Sequence, residues 1–247
     1  MIKLSRPPKP EFLTDEKVNE LVEKFKNTKS TVWNHDEIKT PLLESSNHKC
    51  AYCECKLGEE SKYMEVEHFE DKKHNPDKVV EWDNLLPSCK RCNGKKKCHD
   101  VIDEPIINPY NINPKNHLGV KLYRLKGISS IGNNTIEALL LNDQTRIVAR
   151  RFEIGNAILE RIDDARLRYC EYVNNKTTQK RNRLTSLVEA ILIECQPQSH
   201  YSATSATVLI NDIDFIELII NMRKESIFDD ELEELFNNAQ RIALKEM

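Results

Sequence analysis

Two Cys-x-x-Cys pairs carry the clearest chemistry in the chain: Cys50-Ala-Tyr-Cys53 and Cys89-Lys-Arg-Cys92. A Cys-x-x-Cys turn presents two thiolates from one tight knuckle, and two knuckles complete the tetrahedral shell that zinc prefers. Such a site pins everything between its halves, so metal binding becomes part of the folding free energy. Cys55, Cys98 and His99 lie near the pairs, but four thiolates already close the shell. Cys170 and Cys195 fall in apolar helical stretches and read as core residues.

The insert between the pairs contains a second set of reactive types. Glu67-His68 follows Val66, which is expected to end a strand, and at a strand end the backbone can turn both side chains toward one cleft. A carboxylate there suits a hard divalent ion, magnesium or manganese. A neutral imidazole beside it can take a proton from water near pH 7. Asn93 directly follows Cys92, which on a helix turns it about 100° from the zinc-facing cysteine. This combination fits phosphodiester cleavage. Lys72 and Lys73 follow the Glu-His pair. Lys90, Arg91, Lys95, Lys96 and Lys97 cluster on and after the second knuckle, where they are expected to neutralise phosphates without reading base sequence. His74 reads as a solvated surface residue.

Positioning these groups requires a knuckle, a short β-hairpin and a helix over residues 50–100. Upstream, residues 1–12 are rich in Pro and Lys and read as an extended arm. A helix with Val18, Leu21, Val22 and Phe25 on one face follows from Thr14 or Asp15. A second is expected from Thr40-Pro41, with Pro at the first helical position. The Pro-rich stretch 101–118 marks a boundary, giving a module at 1–118 and a helical region at 119–247. In the latter the pattern predicts a strand over 120–128, a short helix over 135–141 and a long helix opening at Asn142-Asp143. It then predicts a polar hinge over 174–183 and further helices over 184–193, 212–222 and 229–244. The fold class is α+β, mostly helical. With 247 residues and a net charge of -3, any surface for nucleic acid must be local. No apolar run reaches transmembrane length and the first residues lack a signal core, so no membrane partner and a cytoplasmic location are expected.

The order Glu67-His68, Asn84-Leu85, Cys89-x-x-Cys92-Asn93 resembles the HNH endonuclease motif. That family carries it on a zinc-stapled, treble-clef-like ββα-metal core. The resemblance implies that His68 is the general base, that Glu67 and Asn93 hold the catalytic ion, and that Asn84 braces the loop and orients the histidine. The chain departs from the pattern at Asp71-Lys72, where many relatives have Pro-Lys. A wider likeness covers Glu81-Trp82-Asp-Asn84-Leu-Leu-Pro-Ser-Cys89, Pro105-Ile-Ile-Asn108-Pro109 and Ile136-Glu-Ala-Leu-Leu-Leu-Asn142. It is similar to the HNH subunit of Septu-type anti-phage systems and their retron-associated relatives. This implies DNA as substrate, with RNA or tRNA the alternative, and an ABC/SMC-like ATPase partner docking on the C-terminal helices. The chain has no Gly-x-x-x-x-Gly-Lys-Ser/Thr loop, so ATP hydrolysis would belong to that partner. The contrasting reading is a zinc-stabilised adaptor without catalysis.

Overall fold

Thr14 begins the first helix, α1 (Asp15–Thr28), by accepting a hydrogen bond from the Lys17 backbone at 3.1 Å, the usual role of a threonine N-cap. A computed structural model describes residues 1–58 and 63–247. It is α+β and mostly helical, with two small sheets among the described residues. The contacts divide the chain into two units. One comprises Met1–His117 and Gly127–Leu141; the other comprises Leu118–Lys126 and Asn142–Met247.

In the first unit, the arm lacks regular structure but is not loose. Met1, Ile2 and Leu4 are buried. Arg6 donates to the carbonyls of Trp82 (2.7 Å), Leu85 (3.0 Å) and Asp83 (3.1 Å) while its guanidinium stacks 3.8 Å from the Tyr110 ring centroid. The indole of Trp82 returns a hydrogen bond to Pro7 at 2.9 Å. Helix α2 (Asp36–Ser45) starts four residues before the expected Thr40, with Pro41 inside it. Two acidic residues favour the helix N-terminus there, and Ile38 and Leu42, one turn apart, are fully buried. These anchors outweigh the one backbone hydrogen bond that Pro41 removes.

Strand β1 (Met64–His68) pairs antiparallel with β2 (Leu85–Cys89), from Met64↔Cys89 to His68↔Leu85. The connection is a long loop with two 3-10 turns, at Pro76–Lys78 and Trp82–Asn84, rather than a short hairpin. Helix α3 (Lys90–Lys96) follows β2 at once. Beneath the sheet, Leu21, Val22 and Phe25 of α1 and Ile38 and Leu42 of α2 meet Val66, Val79, Val80 and Leu85 in one core. Burying each such side chain contributes about 1.5–3 kcal/mol. Helix α4 (Ser130–Ala138), capped by Ser129, begins five residues before the expected Thr135.

In the second unit, the single strand expected over 120–128 is two, β3 (Leu118–Lys121) and β4 (Arg124–Gly127). Leu122 and Tyr123 between them both have positive φ, 47° and 63°, and reverse the chain. A third strand, β5 (Lys245–Glu246), runs parallel to β3. Asp143 caps a π-helical turn that leads into α5 (Ala149–Asn174), a helix of 26 residues. At Gly155 an added Cβ would lie 2.3 Å from the Tyr123 ring, so the close approach of β-hairpin and helix needs glycine. The expected hinge over 174–183 is only a three-residue connection: Thr177 caps α6 (Thr178–Ile193), which already includes Lys180, Arg181 and Arg183. Then come α7 (Ser202–Asn211), α8 (Ile213–Lys224) and α9 (Asp230–Ile242), with Asp212 and Asp229 as caps. Ala203, Ser205 and Ala206 are buried in α7, and their small size lets neighbouring helices approach. Cys195 is buried, but Cys170 is exposed because it lies off the α5 stripe formed by Ile158, Ile162 and Ala165. No described helix is long and apolar enough to cross a membrane.

The arm is expected to be part of the fold rather than an appendage. Arg6→Ala removes three hydrogen bonds to backbone carbonyls and should lower the unfolding free energy by about 2 kcal/mol, read from urea denaturation at saturating zinc.

Candidate functional site

The first knuckle forms where Lys49 and Lys56 make an antiparallel bridge. Within it the Cys50 amide donates to the Cys55 carbonyl (2.9 Å), and Glu54 turns back with φ 64° to reach the Cys50 carbonyl (3.0 Å). The second knuckle is a helix start: Cys89 is the N-cap of α3, its Sγ accepting from the Cys92 amide at 3.4 Å. The Ala51 amide donates to the Pro87 carbonyl (2.9 Å) and ties the two knuckles together. Pro87 is tolerated in β2 because a two-stranded sheet leaves that edge free for other partners. Ligand atoms of Cys50, Cys53, Cys89 and Cys92 all lie within 4.8 Å of one another. A tetrahedral zinc site with ligands at about 2.3 Å separates sulfurs by about 3.8 Å, so the four thiols fit such an ion. Burial acts to raise the Cys50 thiol, but hydrogen bonds from Cys53, Cys55, Cys89 and Cys92 outweigh it and hold the group well below its ordinary value.

His68 closes β1 and is 3% exposed. Its Nε2 lies 2.9 Å from the Val79 carbonyl, and its ring meets Trp33 edge-on at 4.6 Å. A carbonyl only accepts, so Nε2 carries the proton; Nδ1 of the neutral ring is then a bare acceptor. That Nδ1 is buried with no protein partner. Burial, the Lys72 charge and the Lys96 charge lower the imidazole to about 3, against the pull of Val79 and Asp71. The ring is therefore neutral at any physiological pH.

Asn84 holds the loop that supplies Val79. Its Oδ1 accepts from the Glu70 amide (2.7 Å), and its Nδ2 donates to the carbonyls of Glu70 (3.0 Å) and Lys78 (3.1 Å). The loop's first residues and the residue before Val79 are thus fastened to one side chain.

Glu67 faces α3 instead. Lys96 Nζ lies 2.9 Å from Glu67 Oε1 and donates to the His68 carbonyl, also at 2.9 Å. Burial pushes the Glu67 carboxyl up to about 7, with the Lys96 charge opposing it. Asn93, one residue after the metal-facing Cys92, donates from Nδ2 to Glu65 at 2.7 Å, which leaves its Oδ1 for another partner. Glu67, His68 and Asn93 line one cleft of about 200 Å³ together with Lys72, Lys73 and Lys97.

The basic cluster divides. Lys72, Lys73 and Lys97 reach the cleft, and Lys72 Nζ also sits 4.9 Å over the Trp33 ring. Lys90 and Lys95 are exposed on α3 but do not line the cleft. Arg91 is turned to the end of α4, donating to the carbonyls of Leu139 (3.2 Å) and Leu140 (2.6 Å), so its guanidinium serves the fold. Lys96 is not a surface residue at all: its side chain is 0% exposed. Helical phase explains this correction, since Lys96 is one turn after Cys92 and shares its inward face. His74 is mostly exposed, but its Nδ1 pairs with Asp71 at 2.8 Å. The sequence reading missed Trp33, Glu65 and the Val79 carbonyl. Trp33 is distant in sequence, and a backbone carbonyl leaves no trace in residue type.

These features define a mostly helical α+β protein with a cluster of four cysteines that could hold a zinc ion. The chain is 46% identical over 249 aligned positions to the Septu protein PtuB of Bacillus thuringiensis, covering all of this chain and 96% of the relative. It is 29% identical over 187 positions to the Septu protein PtuB of Bacillus mycoides strain KBAB4, covering 58% of this chain and 63% of the relative. No protein-family model matches. The chain belongs to the family of the Septu protein PtuB.

Two outcomes are expected. Metal analysis should give one zinc per chain, lost in Cys92→Ser together with the cooperative unfolding of the first unit. The second concerns pH. His68 has an ordinary value of 6.5 that burial lowers to about 3. Above pH 6.5 the ring is neutral in both folded and unfolded chains and contributes nothing. Below it the unfolded chain binds a proton that the folded chain refuses, so stability falls as pH falls. Between pH 7 and pH 5, wild type should lose roughly 1–2 kcal/mol more than His68→Asn, measured by urea denaturation in magnesium-free, zinc-replete buffer.

Proposed function

We propose that this protein is a metal-dependent HNH-type endonuclease that hydrolyses phosphodiester bonds of nucleic acid, DNA in the first instance, in anti-phage defence. The observation that carries the reading is the buried, neutral His68: Nε2 is fixed by a backbone carbonyl, Nδ1 is left bare, and the residue shares its cleft with Glu67 and Asn93. A buried acceptor without a donor costs about 1–3 kcal/mol, and such cost is carried more readily by a working group than by a packing one.

In this reading His68 accepts a proton from water through Nδ1 while Val79 holds the ring by Nε2. Asn84 keeps Val79 in place by bridging Glu70 and Lys78. Lys72, Lys73 and Lys97 hold the phosphodiester at the cleft. Glu67 and the free Oδ1 of Asn93 offer hard oxygen donors, a set that fits magnesium or manganese. Such an ion, when bound, supplies charge compensation at the leaving oxygen. Zinc at the four cysteines stays structural, because its shell is closed.

The family also supports a partner within a Septu system. We assign to that partner the ATPase role, with the second unit as its docking surface. Exposed apolar side chains at Leu122, Phe152, Leu167 and Ile213 support this assignment.

The deciding experiment is cleavage of labelled duplex DNA, single-stranded DNA and RNA by zinc-loaded protein with magnesium or manganese, with and without the ATPase. His68→Ala should cut at least about 100-fold more slowly than wild type. Equal cutting by the two proteins, or no cutting of any substrate under any of these conditions, would overturn the enzyme reading in favour of a zinc-stabilised adaptor.

A further inference from the structure

Burying an ammonium group is costly unless it is fully paired, so the inward turn of Lys96 calls for explanation. Both of its partners belong to the cleft: the Glu67 carboxylate and the His68 carbonyl, each at 2.9 Å. Glu67 therefore has a counter-cation before any ion reaches it. Three more lysines, Lys72, Lys73 and Lys97, line the same cleft. Among the described residues, the one other lining carboxylate, Asp71, is already engaged: it accepts from the amides of Lys73 (3.0 Å) and His74 (3.2 Å) and pairs with the His74 ring (2.8 Å). A dication approaching Glu67 meets more positive than negative charge among the described residues that line the cleft. A phosphodiester reverses the balance. It neutralises the rim lysines and offers its own oxygens as ligands, the usual way magnesium sites with few protein ligands are completed.

We propose that the cleft takes up its divalent ion together with a nucleic-acid phosphate rather than before it, because Lys96 is the resident counter-cation of Glu67 in the substrate-free protein. Lys96 is thereby a positioning residue: it sets the orientation of Glu67 and steadies the His68 backbone. The inference rests on the nuclease reading of the cleft and adds the order in which its components assemble. Without a phosphate, the protein holds its carboxylate neutralised and its ion site empty of charge to offer.

The test is binding rather than turnover. Zinc-loaded full-length protein is titrated with manganese(II), and the free ion is followed by electron paramagnetic resonance. Titrations are run alone and with a saturating phosphorothioate oligonucleotide, as DNA and as RNA. Wild type is expected to bind manganese at least ten-fold more tightly with an oligonucleotide than without. Lys96→Met, titrated at a pH high enough to ionise the unpaired Glu67, should bind it at least ten-fold more tightly than wild type without one. Because that variant leaves Glu67 buried without its cation, a second variant, Lys72→Met with Lys97→Met, changes only the rim. It should also tighten oligonucleotide-free binding several-fold. Equal wild-type affinity with and without oligonucleotide, or variants that match wild type, would overturn the proposal. If that equality accompanies His68-dependent cleavage, the nuclease reading stands and this one alone falls. If manganese binds under no condition, both fall.

Discussion

The phase of helix α3 is the constraint on which the first unit depends. The helix has only seven residues, too few to persist by propensity alone. It is held at its start by Cys89 and Cys92 and at its end by Lys96. One turn separates Cys92 from Lys96, so the face that meets the cysteine cluster also meets Glu67. Asn93, rotated by about 100° from Cys92, meets Glu65 on the same strand. Asn93 and Lys96 thus join α3 to β1, while Cys92 joins it to the cysteine cluster. A change in the helix phase large enough to release one of them would misplace the others, which makes the cysteine cluster and the cleft a single mechanical object.

The neighbouring strand resolves a conflict that the residue types create. Glu67 and His68 are adjacent in β1 and should face opposite ways. They do keep separate surroundings. Glu67 is held from the helix side by Lys96, and His68 is held by Val79 and Trp33. Both nevertheless line one cleft. The loop between β1 and β2 makes this possible, since it wraps back to place a carbonyl against the ring at the strand's end. Asn84 is the side chain that closes this wrap.

What could be read from the sequence was what depends on residue type and short spacing. The two Cys-x-x-Cys pairs and a first helix starting from Thr14 or Asp15 follow from local chemistry, and the structure has the cysteines together and Thr14 as the cap. What escaped depended on tertiary partners. Residues 95–97 read as one run of phosphate-facing lysines, although the phase from Cys92 already turns Lys96 inward. Arg91 was misread for the same reason, because the α4 carbonyls it serves lie far along the chain. The reversal at Leu122 and Tyr123 was hidden because neither is a usual residue for positive φ. Pro41 suggested a helix start, yet the buried pair Ile38 and Leu42 draws the helix past it.

Electrostatics links the weak basicity of His68 to the crowded charge around Glu67. A general base works best with a value near the working pH, and burial with two lysines holds this imidazole far below that. One of those lysines, Lys72, sits at the rim where a phosphate would bind. In the proposed nuclease reading, a phosphate there would cancel part of the field that suppresses the ring, and the same anion would relieve the repulsion facing a dication. Lys96 is the fixed part of this field and Lys72 the part that substrate can remove. In the proposed nuclease reading, the cleft's chemistry turns on whether an anion lies against Lys72, which makes the substrate's own charge the last component of the site.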